Sequence, residues 1–197
     1  MELNKNITIL GGWNAAFTSQ TGFSTLDGNG STGTLVQIKK NAVIERFIFK
    51  NRSLGIDISD GETCPISATV TLRQSSITGM IGEGGLRNCG TLSIINSTIG
   101  NNQGIAGAID NDFGTLTIQN TTITKNTSTN GQFGAGGINN NSGTVSIKNS
   151  IVTDNVGMMA ECSGVITSAG YNILGSIIAC DITTQTTDQI EVDPRLG

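Results

Sequence analysis

One short phrase is written three times between Gly90 and Asn155: GTLSIINSTIGNN from Gly90, GTLTIQNTTITKN from Gly114 and GTVSIKNSIVTDN from Gly143. A fainter copy, TVTLRQSSITG, starts at Thr69. Apolar residues alternate with small polar ones in each copy, and a polar turn then leads to one more apolar position. The triples are Val70, Leu72, Ile77; Leu92, Ile94, Ile99; Leu116, Ile118, Ile123; and Val145, Ile147, Val152. Such alternation is the period of a strand with one face buried. A second phrase separates the copies, GGLRN ending at Asn88, GAIDN at Asn111 and GGINN at Asn140, and adds a third inward residue in Leu86, Ile109 and Ile138. A repeat of about two dozen residues, made only of short strands and turns, cannot bury its apolar side alone and must stack on its own copies. The expected fold is all-β: a single-stranded parallel β-helix with one repeat per coil and about seven or eight coils.

The chain, 1–197, reads as one domain. Irregular coils occupy 1–40, regular coils 41–155, and a last coil with its tail 156–197. Asn41 to Asn51 (NAVIERFIFKN) is a bulkier copy in which Ile44 and Phe49 take the places of Ile118 and Ile123, and Ile56 the third inward place. Ser24 to Gly28 and Thr34 to Ile38 read as two further strands. Trp13, Phe17 and Phe23 precede the regular copies and are expected to plug the open end of the stack. GQFGAGG, from Gly131 to Gly137, is longer than its counterparts and predicts a projecting loop. Gly at 27 residues against Pro at 2 suits tight turns that keep their amide donors for a continuous ladder.

Net charge is −4 and histidine is absent. Clustered Lys and Arg are missing, so no nucleic-acid partner is expected. The commonest general base and zinc ligand is missing too. No apolar run is long enough for a membrane span. Met1 to Lys5 does not read as a signal peptide, which predicts either a removed signal or a piece of a longer secreted protein. The four cysteines fall as Cys64 with Cys89 and Cys162 with Cys180, each pair about one coil apart and within disulfide reach if the turns align. An even count in such a chain points to a secreted or cell-surface protein, the other reading being four buried free thiols.

Three outward columns follow from the inward ones. If Leu86 and Ile109 point in, Asp57, Arg87, Asp110 and Asn139 line up outside, with Glu83 and Asp112 nearby. That column reads either as a charge ladder, with Arg87 bridging the carboxylates above and below, or as weak catalytic candidates (Asp57, Arg87, Asp110) that hold calcium and polarise a uronic acid. It is expected to be exposed and without a cleft. No other cofactor or metal is expected. A second column pairs Thr69 with Thr71, Thr91 with Ser93, Thr115 with Thr117, and Thr144 with Ser146. This hydroxyl grid reads as a binding face for carbohydrate or ice, or as ordinary strand composition. A third, Asn96, Asn120 and Asn149, reads as a structural ladder of stacked amides that begins only near Asn96, since Arg46 and Gln74 hold the earlier positions.

GAI at Gly107 to Ile109 and GGI at Gly136 to Ile138 resemble the GGA-I motif of polymorphic outer-membrane protein repeats. IGNN ending at Asn102, ITKN ending at Asn126 and VTDN ending at Asn155 resemble the F-x-x-N half of that repeat, with an aliphatic residue for Phe. ECSG from Glu161, GYNIL from Gly170, Cys180 and DPRLG from Asp193 resemble the close of the β-helix in large secreted bacterial proteins. The chain thus resembles the right-handed parallel β-helix superfamily that includes pectate lyases, particularly its bacterial cell-surface members. The resemblance implies a right-handed coil, as parallel crossovers also favour. It carries little about activity, because the fold hosts lyases, hydrolases, adhesins and passive stalks. The paired Asp-Asp and the Gly-His-Gly of pectin hydrolases are absent. The expected role is therefore extracellular and structural, without catalysis: a stalk, an adhesin segment or a filament subunit. A lateral face that binds polysaccharide or ice is the alternative, and a polysaccharide lyase the second alternative. No amphipathic helix is visible at either end. The end coils should be covered by flanking sequence, by the Trp13 region and the Asp188 tail, or by head-to-tail self-association.

Overall fold

The protein is described here by a computed structural model covering residues 1–132 and 134–196. It is a parallel β-helix of eight coils. One sheet takes a strand from every coil in order: Ile7–Leu10, Ala42–Glu45, Thr69–Arg73, Thr91–Ile95, Thr115–Gln119, Thr144–Lys148, Val165–Ser168 and Asp181–Thr183. All its neighbours are parallel. At about 4.8 Å per rung the stack is roughly 34 Å long. A second sheet supplies two more faces, joined where Ser24–Ile38 and Phe47–Ile58 run unbroken around a corner. Ser24 to Gly28 and Thr34 to Ile38 are thus one strand, kept continuous by two register shifts around Ser31. Three short strands, Ile81–Gly82, Gln103–Gly104 and Thr127–Ser128, form a small third sheet between the two faces.

Register follows the repeated phrase residue for residue. Ile94 pairs with Leu72 and Ile118, and Ile118 with Ile147. Leu86 pairs with Ile56 and Ile109, and Ile109 with Ile138. Slipping a strand by one residue would turn its whole apolar set outward, so the alternation pins the pairing. These aliphatics form one core cluster with Phe49, Ile44 and Met80. The pairing continues past Asn155, where Ile147 meets Ser168 and Val152 meets Leu174. The tail adds a final strand, Gln189–Ile190, on Ile173–Leu174.

Corners are set by residues at positive φ. Arg46, Gln74, Asn96, Asn120 and Asn149 hold one corner, at 60°, 49°, 49°, 51° and 48°. Asn tolerates this left-handed conformation better than most side chains, which suits its use at turns. Inside the next bends, amides replace aliphatics. Asn102 Nδ2 donates to Asn126 Oδ1 at 2.9 Å and Asn126 Nδ2 to Asn155 Oδ1 at 2.9 Å, all three buried. A second internal file runs Asn88 Nδ2 to Asn111 Oδ1 at 2.7 Å and Asn111 Nδ2 to Asn140 Oδ1 at 2.8 Å. A third uses hydroxyls: the backbone N–H of Ser75, Ser97 and Thr121 donates to the side-chain oxygen of Ser97, Thr121 and Ser150. Turn amides that would otherwise be buried and unpaired are satisfied by the coil above or below.

Both cysteine pairs are disulfides, Cys64 with Cys89 and Cys162 with Cys180, across 25 and 18 residues. The first ties the loop between Ile58 and Thr69 to the following coil. The aromatic group before the first regular coil does not plug an end. Trp13, Phe17 and Phe23 are 40%, 76% and 56% exposed on an excursion that leaves the corner after Leu10 and returns at Ser24. Trp13 bridges Gln20 in antiparallel fashion, which folds the segment as a small hairpin outside the stack. In the expected loop from Gly131 to Gly137, Gly131 and Gln132 are exposed, Gly134 to Gly137 are buried, and Phe133 lies outside the described residues.

Candidate functional site

The pairing register places Asp57, Arg87, Asp110 and Asn139 on successive coils, one above another. Their surroundings differ from the expected exposed ladder. Glu83, Arg87, Ile105, Asp110 and Asp112 line a recess of about 270 Å³, and Asp57 is only 8% exposed. The stretch from Ile81 to Gly84 and its neighbour from Gln103 to Gly107 flank this face and create the hollow. Arg87 does not bridge the carboxylates above and below it. Its Nη2 donates to Asp112 Oδ2 at 2.9 Å; Asp112 lies on the next coil, two residues after Asp110 in the strand Ile109–Asp112, and so points to the same side as Asp110.

Each acid is held differently. Asp57 Oδ2 accepts from Ser59 at 2.9 Å, while its Oδ1 is buried without a hydrogen bond. Burial pushes the Asp57 carboxyl above its ordinary value, against the pull of Ser59 and the charge of Arg87. Asp110 Oδ1 accepts from Asn139 Nδ2 at 3.0 Å and Asn141 Nδ2 at 2.9 Å. Burial pushes Asp110 up as well, and the Asn139 bond opposes it. The hydrogen bond to Asp112, with the charges of Asp57, Asp112 and Asp110, holds the Arg87 guanidinium above its ordinary value despite burial.

The column does not bring its carboxylates to one centre. Asp57 and Asp110 stand two rungs apart, about 9.6 Å along the stack, with Arg87 between them. Calcium needs oxygens at about 2.3–2.6 Å from one centre. Among the described residues, the one group of three or more Cys, Asp or Glu side chains whose ligand atoms converge is Cys64, Cys89 and Asp112, and those sulfurs are joined in a disulfide. Asp112 is nonetheless the polar residue that ties this face together, although by sequence alone it stands only beside the expected column. Its signal was the spacing Asp110, Asp112, two same-side positions of one strand.

The hydroxyl grid lies on the eight-stranded sheet. Thr69, Thr91, Thr115 and Thr144 form one file, and Thr71, Ser93, Thr117 and Ser146 the next, all exposed or partly exposed. The second file is longer than the repeats suggest. It runs Thr8, Val43, Thr71, Ser93, Thr117, Ser146, Thr167 and Thr183, so Val43 alone interrupts a hydroxyl on every coil. The added members sit in stretches that do not repeat the phrase and emerge only through pairing. The corner amides are joined as well: Asn120 Nδ2 donates to Asn96 Oδ1 at 3.0 Å, and Asn149 Nδ2 to Asn120 Oδ1 at 2.6 Å. Gln74 and Arg46 hold the same corner without joining that chain.

The buried files through Asn102 and Asn88 were not singled out in the sequence, although the signal was present as the Asn that ends each phrase. Glu161 was likewise missed as a buried acid. It is 5% exposed and accepts from Asn155 Nδ2, and burial pushes its carboxyl up against that bond.

No helix among the described residues is long and apolar enough to cross a membrane. No characterised protein and no solved structure matches the chain significantly. The profile described as "Right handed beta helix region" matches residues 14–185, which span most of the corner excursion and nearly every coil. With the parallel register and the eight stacked coils, the chain belongs to the right-handed β-helix family.

Proposed function

We propose that this β-helix is a rigid, non-catalytic segment of an extracellular protein: a stalk, an adhesin segment or an assembling subunit. One observation carries the reading. Amide and hydroxyl files run inside the stack from coil to coil and lock each coil to the next, as a rigid spacer requires. The one acidic face supports the same view. A lyase needs a base free to take a proton from the substrate carbon, and Arg87 is held in its protonated form by the pair with Asp112. Two disulfides suit an oxidising compartment.

The test has two arms. Electron microscopy of the protein at rising concentration should show short rods, and end-on growth would identify the assembling form. Incubation with polyuronates and calcium should release no unsaturated product. Release by the wild type that is lost in Arg87→Ala would establish a polysaccharide lyase and end the structural reading.

The length of the hydroxyl file favours a second reading, in which the eight-stranded sheet meets a regular surface such as ice or a polysaccharide. Its hydroxyls repeat at about 4.8 Å between coils. Ice shaping by the wild type, abolished in Thr117→Tyr, would support this reading for ice. Its absence, together with no retention on insoluble polysaccharides, would remove it.

A further inference from the structure

Cys64 Sγ, Cys89 Sγ and a carboxylate oxygen of Asp112 all lie within 4.8 Å of one another, beside the guanidinium of Arg87. We infer that, once the bond between Cys64 and Cys89 is reduced, these three residues form a binding site for zinc or another soft divalent cation, independent of the stalk reading. The ion then takes the place of the disulfide and fastens the 59–68 loop to the next coil.

Backbone bonds hold the ligands near one another without the link between the sulfurs. Cys89 N donates to Ile58 O at 2.9 Å and Ile66 N to Cys89 O at 2.7 Å, so both arms of the loop are pinned at Cys89. Just before Cys64, Asp60 closes a tight turn. Its Oδ1 accepts from Glu62 N at 3.0 Å and Thr63 N at 2.7 Å, and its Oδ2 from Thr63 Oγ1 at 2.7 Å. Cys64 is thereby returned beside Cys89, with Cα atoms 5.0 Å apart in the oxidised chain. Two thiolates on one tetrahedral zinc stand about 3.8 Å apart, which side-chain rotation reaches from that spacing. A site assembled in this way loses little entropy on binding.

The donor set selects the ion. Two thiolates with one carboxylate suit a borderline-soft cation, whereas calcium and magnesium take oxygen ligands. Three anionic ligands on a divalent ion leave one negative charge, and the Arg87 guanidinium balances it. Its Nη2 lies 2.9 Å from Asp112 Oδ2 and 3.5 Å from Cys64 Sγ, so it faces two of the three ligands from outside. Outer groups placed like this orient metal ligands and tune their affinity. Cys89 is buried, but Cys64 and Asp112 are half-buried, which lets a water complete four-coordination. The pair Cys162 and Cys180 has no third such ligand in reach among the described residues, so the same chemistry is not built there.

The redox step needs a thiol reductant. Two of its thiols give two electrons and two protons to the S–S bond and leave as their own disulfide, while Cys64 and Cys89 become thiols. The metal then displaces one proton from each to solvent. The loop is thus tied covalently in an oxidising compartment and by the ion in a reducing one.

The experiment reduces the whole chain with a dithiol, removes the reductant without admitting oxygen, and titrates with divalent cobalt as a spectroscopic substitute for zinc. Thiolate-to-cobalt charge-transfer absorption should saturate at one ion per chain and disappear when zinc is added. The oxidised chain should show none, and neither should Cys64→Ser. Asp112→Asn keeps both cysteines and removes the anionic oxygen, so it should weaken binding about tenfold or more. In limited proteolysis of the reduced chain, zinc should slow the cut within the 59–68 loop. The proposal is overturned by no absorption in the reduced chain, by absorption in the oxidised chain or in Cys64→Ser, or by affinity unchanged in Asp112→Asn. A loop cut equally fast with and without zinc overturns it too.

Discussion

Asn155 and Glu161 meet inside the coil, where Asn155 Nδ2 donates to Glu161 Oε2 at 2.7 Å, so the buried file of amides ends on a carboxylate. The next coil offers no Asn at that place. Glu161 rises instead from the position that Gly137 holds one coil earlier, where the lack of a side chain leaves room for the amides. An amide ladder consumes one acceptor per rung, and the terminal donor needs a partner of its own.

That pairing predicts an unusual pH response. Burial raises the folded Glu161 carboxyl above its unfolded value of about 4.3. Its stabilising contribution is complete below the unfolded value and is lost as pH rises through the folded one. Stability from this group therefore increases as pH falls toward that unfolded value. Glu161→Gln keeps an acceptor for Asn155 without the buried charge. Its urea midpoint should exceed that of the wild type at pH 7, and the difference should shrink on acidification.

The last coil should respond in the opposite direction. Burial raises the Asp188 carboxyl, but hydrogen bonds from Gln185, Ser168 and Asn172 outweigh it and hold the group below its ordinary value. Asp188 contributes stability above its unfolded pKa, and that contribution is lost as pH falls through the folded one. Amide exchange of Gln189, which donates to Asn172 O at 2.8 Å, should quicken in strong acid before the central coils open. Asp188→Asn should show fast exchange there at neutral pH as well.

Buried and exposed amides should differ widely in worth. Asn126 accepts from Asn102 and donates to Asn155, Ile99 O and Thr124 O, so its loss strands several buried groups at once. Asn126→Ala should cost about 3 kcal/mol or more in chemical denaturation. Asn120 stands on the exposed ladder at φ 51°, and Asn120→Gly preserves that conformation. Its cost should stay near about 0.5 kcal/mol. Equal costs for the two would mean that the internal file contributes no more than a surface ornament.

Reducing the disulfides should loosen specific loops. By the loop-entropy relation, closing 25 or 18 residues stabilises by about 3 kcal/mol each. The 59–68 loop carries exposed Asp60, Gly61 and Glu62, and Cys64 alone ties it covalently to the next coil. Under a thiol reductant, or in Cys64→Ser with Cys89→Ser, limited proteolysis should cut first within this loop. The regular coils from Thr69 to Thr153 should remain protected.

The alternation in GTLTIQN and its copies was enough to specify strands, their inward sides and, through equal spacing, the register that stacks Ile94, Ile118 and Ile147. It also lined up Asp57, Arg87 and Asp110, the two cysteine pairs, and Asn96 with Asn120 and Asn149. Periodicity of two is a local property, and equal repeat lengths carry it from coil to coil. What faces inward at a bend is a different matter, since it depends on the backbone angles at the corner and on room left by another coil. Hence Asn126 looks no different in the chain from Asn120, yet one is sealed inside and the other is wet. The same holds for Arg87, whose partner is Asp112 and not the carboxylates in its own column, and for Glu161, admitted by the absence of a side chain at a neighbouring coil. Thr8, Thr167 and Thr183 joined the hydroxyl file, and the Trp13 hairpin left the stack, only once distant segments were packed. Contacts between coils decided those places, because a side chain's surroundings at a turn are supplied by residues remote in sequence.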